Sequence, residues 1–304
     1  MRGGVISQRG HCQMWRDRHP TPPLCGDLPL QGRVKRIKMS PDLAYLLILA
    51  LRMAVAAAFV VTASFITEHS GPAIGALIAT LPISAGPAYV FLALDHDSAF
   101  IAQGALTSLP INAATIYLGL TYTLLAQRHG LLISYGAAAA VWMAIAAIIA
   151  SVHWSLWGGL LLNVVTFAIC TPLMQRYRHA RMPPIARRWY DGPLRASLVA
   201  TLVATVVTLS GRVGPSISGI LALFPAVFSS MMLILHPRIG GPATAAVIAN
   251  SAWGMMGFGI AVVVLHLGVL HLGSAAGLSL ALATCVSWNL VLWQIGRRRA
   301  AAAK

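Results

Sequence analysis

The amino-acid sequence predicts an all-α polytopic membrane protein. About nine transmembrane helices are expected, arranged as 4+1+4, with the two fours forming an inverted-topology internal repeat. Three observations carry this. Hydrophobic residues fill 58% of the 304 positions and charged residues only 10%, at a mean hydropathy of +0.75, whereas soluble domains are roughly a quarter charged. Apolar runs of the ~20 residues that cross ~30 Å of hydrocarbon recur along the chain. Finally, "GPAIGALIATLP" at 71–82 returns 143 residues later as "GPSISGILALFP" at 214–225.

The elements follow in order. Residues 1–38 hold eight basic residues and no apolar core, so they are expected to form a disordered basic tail lying outside the mature chain. A cytoplasmic N-terminus with an even number of spans, or a basic targeting peptide, are the competing readings. "MSPDL" at 39–43 is a helix start, with Ser40 as N-cap, Pro41 at the first helical position and Asp42 beside it. Spans are then expected at 43–67, 72–94, 98–126, 131–151, 153–174, 194–211, 215–236, 241–267 and 273–295. The breakers between them are "EHSGP", "DHDS", "QRHG", "HWS", a long basic stretch, "GRVGP", "HPRIGGP" and "HLG". These spans group as a first four-helix repeat (39–152), a linking transmembrane helix (153–175), a basic cytoplasmic linker (176–193), a second four-helix repeat (194–295) and a basic cytoplasmic tail (296–304).

Charge orients the bundle. With the linker and C-terminus inside, the inner loops carry Arg128, Arg176, Arg178, Arg181, Arg187, Arg188, Arg238, Arg297, Arg298 and Arg299, and the outer loops Asp95, Asp97 and Arg212. That is a strong positive-inside bias, which places the C-terminus in the cytoplasm of a bacterial-type plasma membrane.

The repeat extends well past its opening motif. At the same offset, Leu51-Arg52 matches Leu194-Arg195, Ile74 matches Ile217, Pro82 matches Pro225, Ser108 matches Ser251 and Gly130 matches Gly273. Matched spans stand five apart, and an odd separation reverses orientation. Inverted repeats with paired Gly/Pro-interrupted segments characterise many secondary transporters, and the interruptions point to the binding site. A membrane proline leaves the carbonyl four residues earlier, here that of Ile78 and of Leu221, in need of a partner.

The candidate substrate-binding set therefore gathers around the two prolines. It comprises Thr80, Pro82 and Ser84, then Thr107, Ser108 and Asn112 of the third span, Pro225, Ser229 and Ser230, and Asn250 and Ser251 of the eighth. Hydroxyl and amide groups at mid-depth can coordinate a cation or orient a polar solute. Each one singly reads more readily as a helix–helix hydrogen bond, and only the pairing across the repeat raises the cluster as a whole to a candidate site. Arg52 and Arg195 are candidates for anion attraction, against the plainer alternative of snorkelling anchors.

Several classes are excluded. No basic stripe is interleaved with aromatics on a soluble element, so no nucleic-acid partner is expected. Cys12, Cys25, Cys170 and Cys285 lack metal or redox spacing, and neither metal nor cofactor is implied. There is no GxxxxGK[ST] sequence, no HExxH and no carboxylate pair at mid-depth, which argues against an ATPase and an enzyme. The expectation is a permease for a small polar or anionic solute, with the lipid bilayer and that solute as its partners. The rival is a non-transporting scaffold or lipid-interacting subunit.

Overall fold

The computed structural model describes residues 41–69, 84–179 and 190–302, and every regular element within them is a helix. These are α1 (Pro41–His69), α2 (Ala85–Asp95), α3 (Ser98–Leu125), α4 (Leu131–Ala150), α5 (Leu156–Gln175), α6 (Asp191–Ala222), α7 (Ala226–Ile239), α8 (Gly241–Leu272) and α9 (Ser274–Ala302). Seven are long and apolar enough to cross a membrane, while α2 and α7 are shorter apolar helices. The chain is a multi-pass membrane protein by this measure.

The third span is the hub. In α3 78% of the apolar window is buried, against 17% in α1 and in α9, and α3 packs against α2, α4, α5, α6 and α8. Its central place explains why it has the lowest hydropathy of the seven. Polar side chains are tolerated at membrane depth where other helices supply partners, and α3 is surrounded by them. α1 packs on α6, α9 on α8, and α5 on both α3 and α8.

α3 and α8 run antiparallel. The His266 ring Nδ1 lies 2.7 Å from the Ala102 carbonyl oxygen, and Asn112 Nδ2 donates to the Met255 carbonyl at 3.2 Å. Gly119 faces Ile248, and Ala126 abuts Gly241. Positions thus rise along one helix as they fall along the other.

The break expected at "GRVGP", between the spans read at 194–211 and 215–236, is present at Gly214, where two helical segments within α6 meet across a kink. Gly214 takes φ 77 and ψ 178, which glycine adopts freely, and Pro215 then restarts the helix with its φ already fixed. A further break, inside the span expected at 215–236, comes at 223–225, after which α7 starts at Ala226. Earlier in the chain, Ser84 precedes α2, and the rest of the expected 72–94 span before it lies outside the described residues, as does the N-cap read at Ser40.

Candidate functional site

The hub, the linking helix and α8 meet at two amides. Asn112, fully buried, donates through Nδ2 to Asn163 Oδ1 at 2.9 Å and to the Met255 carbonyl. Asn163 in turn donates to the carbonyls of Leu109, at 2.7 Å, and Gly159, at 2.9 Å. The approach is close because α8 presents Gly259 here; a Cβ at that position would lie 2.8 Å from Asn112 Nδ2. Asn112 Oδ1 is buried and without a hydrogen-bond partner among the described residues. A buried polar atom left unmatched costs ~1–3 kcal/mol, so this acceptor is a strong attractor for an N–H or O–H group that can reach it.

A second node ties α2, α3 and the part of α6 beyond its bend. Ser108 Oγ donates to the Gly219 carbonyl at 2.9 Å, which leaves its lone pairs to accept from Tyr89 Oη at 2.5 Å. Both side chains are buried. The Gly219 carbonyl stands in the last turn of α6, where it also accepts from the Leu223 N–H at 3.3 Å. The oxygen expected to be exposed by Pro225 was that of Leu221. Instead the helix ends before the proline, and the Phe224 N–H bonds the Leu221 carbonyl at 3.0 Å. Pro225 caps α7 rather than kinking a helix.

The remaining candidates scatter. Thr107 is buried and donates to the Gln103 carbonyl of its own helix. Ser230 likewise bonds Val227, while Ser229 Oγ is buried without a partner among the described residues. Ser84 is half-buried before α2 and makes no capping bond. Asn250 is exposed and donates to Ala246 and, at 3.4 Å, to the Arg178 carbonyl; Ser251, half-buried, bonds Val247. Thr80 and Pro82, with Ile78, lie outside the described residues.

Thr107 and Ser108 are not brought together with Asn250 and Ser251. Ser108 stands four residues before Asn112 and Ser251 four before Met255, and on antiparallel helices this separates them by about 12 Å along the axis. Matched positions meet instead at Asn112 and Met255.

Neither arginine stands as a bare attractor. Arg52 makes a two-pronged ion pair with Asp95 at the end of α2, its Nη2 at 2.6 Å from Oδ1, and its guanidinium lies over the Phe91 ring. Arg195 is half-buried on α6, one turn beyond Asp191. Asp191 receives the guanidinium of Arg238, with Nη1 at 2.7 Å from Oδ2.

Some of this escaped sequence reading. Asn163 was visible only as a single amide, because its partner lies 51 residues away. Gly104 and Ser108, four apart on α3, form a small-xxx-small pair of the kind that admits close helix approach, and Gly219 fills that contact. Tyr89 carried no signal in its neighbours. One cavity runs along α5 against α3 and α8 and another lies among α1, α2, α8 and α9, and both have mainly apolar walls.

No protein family, characterised protein or solved structure matches this chain.

Proposed function

We propose that the protein is a permease of a bacterial-type plasma membrane, moving a small polar or anionic solute by alternating access between two inverted halves, with its C-terminus in the cytoplasm. The observation that carries this is the contact of Asn112 with Met255. The two positions are 143 residues apart, the offset of the repeated Gly-Pro segment. A twofold axis in the membrane plane leaves one such position opposite its own counterpart, on antiparallel helices, and α3 and α8 meet that condition at Asn112.

Further features agree. α3 and α8 start at Ser98 and Gly241, and α4 and α9 at Leu131 and Ser274, again 143 apart. The ends of α2 and α7 are each tied to the long helix that opens their half, through Asp95 and through Arg238, which are matched positions of opposite charge. α5 packs on both hub helices, as a connector between halves would. With Asn112 Oδ1 and Ser229 Oγ as unmatched uncharged groups, a solute bearing hydrogen-bond donors suits the interior. A second reading, a lipid-interacting subunit, draws on the apolar walls of both cavities.

A metabolite-wide comparison of cells with and without the protein tests the proposal. At least one polar solute should change in uptake or efflux, and Asn112→Ser should reduce that flux about tenfold at equal membrane abundance, a loss of ~1.4 kcal/mol in effective binding. If no solute responds to the wild-type protein, the permease reading falls and the subunit reading stands.

A further inference from the structure

The groove along α5, whose wall includes Asn163 of the amide pair, has a shape and a polarity gradient of its own. Its lining on α5 runs from Leu160 to Gln175, with α8 opposite from Trp253 to Ile260 and Leu109 of α3 behind. Fifteen helical steps measure about 22 Å, and a volume of about 490 Å³ drawn out over that length leaves a cross-section on the order of 20 Å². That is the girth of one hydrocarbon chain. A compact solute of equal volume would need a rounder space. Val164, Ala168 and Ile260 are exposed along the groove, so it opens sideways to the surface that lipid would cover.

Polarity is concentrated at one end. Asn163 is in the wall, but both of its amide atoms are engaged within the protein. Towards the end of α5, Thr171 is 5% exposed and its Oγ1 has no partner among the described residues. Pro172 lacks the N–H that would bond the Ala168 carbonyl, and both residues line the groove. Gln175 follows Thr171 by one turn, and exposed Arg176 and Arg178 stand in the turn just beyond it. Asn250 bonds the Arg178 carbonyl there, holding this end of α5 against α8 one turn before Trp253.

We propose that this groove binds a single acyl chain whose oxyanion head group sits at the Thr171–Gln175 end, beside Arg176 and Arg178. The chain lies along Phe167, Val164 and Leu160, and the head group receives hydrogen bonds from Thr171 and Gln175 and charge from the arginines. A fatty acid or one chain of an anionic phospholipid meets this description. Basic groups on the cytoplasmic flank of a membrane helix attract anionic lipid head groups. The site stands independently of transport.

The test uses purified full-length protein in phosphatidylcholine nanodiscs with three photoactivatable probes sharing one diazirine acyl chain: the free fatty acid, the phosphatidylglycerol and the neutral fatty alcohol. Peptide mapping should place the cross-links on residues 160–175, with at least one anionic probe exceeding the alcohol about tenfold. Whichever anionic probe labels identifies the source of the head group. Ala168→Phe, a change at an exposed groove wall, should lower labelling about tenfold with an unchanged melting curve. Arg176→Gln with Arg178→Gln should bring the anionic probe down to the level of the alcohol. Labelling indifferent to Ala168→Phe, equal labelling by the alcohol, or absence of label on α5 each overturns the proposal. The readout is taken without transport, so loss of the permease reading leaves it standing.

Discussion

Gly219 and Gly104 bring two backbones together where no side chain fits between them. A Cβ added at Gly219 would overlap the Gly104 carbonyl, a backbone group that cannot swing aside. The same approach delivers the Gly219 oxygen to Ser108 and, through it, positions Tyr89. Gly219→Ala is therefore expected to cost ~1–3 kcal/mol by overpacking. Gly136→Ala, in open space on α4, should be neutral or gain up to ~1 kcal/mol from helix propensity. Thermal unfolding of the two variants in detergent compares them directly. A Gly219→Ala protein as stable as Gly136→Ala would mean that the hub does not depend on this contact. Sequence spacing could suggest Gly104 and Ser108 as a close-packing pair. It could not name Gly219 as their partner, since a contact across 111 residues leaves no local periodicity to read.

At the level of elements, the starts of α3, α4 and α8 fall where Gly, Asp and Gly-Pro signals put them, because those residues end or open helices by their own backbone geometry. The break read at "GRVGP" falls at Gly214 for the same reason. Pro225 was read as an interruption within one span, whereas the helix ends just before it and the next begins at Ala226. The faces of these helices were less legible than their limits. A helix apolar all round carries no moment to say which side is buried, which is how exposed Asn250 came to be grouped with buried Ser108. The ion pair at the end of α7 was also hidden, since Asp191 reads as linker until α6 begins there. With Asp191 8% exposed, either single change, Asp191→Asn or Arg238→Gln, leaves a charge poorly matched in a low-dielectric setting. Each should lower the melting midpoint by about 4 °C or more. The exchange Asp191→Arg with Arg238→Asp should recover part of that loss, because the pair of Arg52 on α1 with Asp95 on α2 already uses the reverse order. A double variant no better than the singles would show that the pair's surroundings, rather than its charges, set the stability.

At the scale of the molecule, the proposed permease reading makes antiparallel α3 and α8, with α5 packed on both, the boundary between two halves that turn against each other about the Asn112–Met255 contact. Motion about such an axis changes distances least near it and most at the ends of the helices. Ser98 at the start of α3 and Ser274 at the start of α9 come from different halves of the repeat reading, and their hydroxyls lie 3.2 Å apart at one such end. Replacing both with cysteine, in a background where the four natural cysteines are removed, should give a pair close enough to cross-link on mild oxidation. If the halves must part at this end once per cycle, the oxidised protein should lose at least about nine-tenths of the solute flux and regain it on reduction, since a covalent tie holds one of the two states whatever the solute binds. Flux of the responding solute would be compared before oxidation, after it and after reductant, with gel mobility reporting the extent of cross-linking. Full cross-linking with undiminished flux would place the moving boundary elsewhere in the bundle and remove the Asn112–Met255 contact as its pivot.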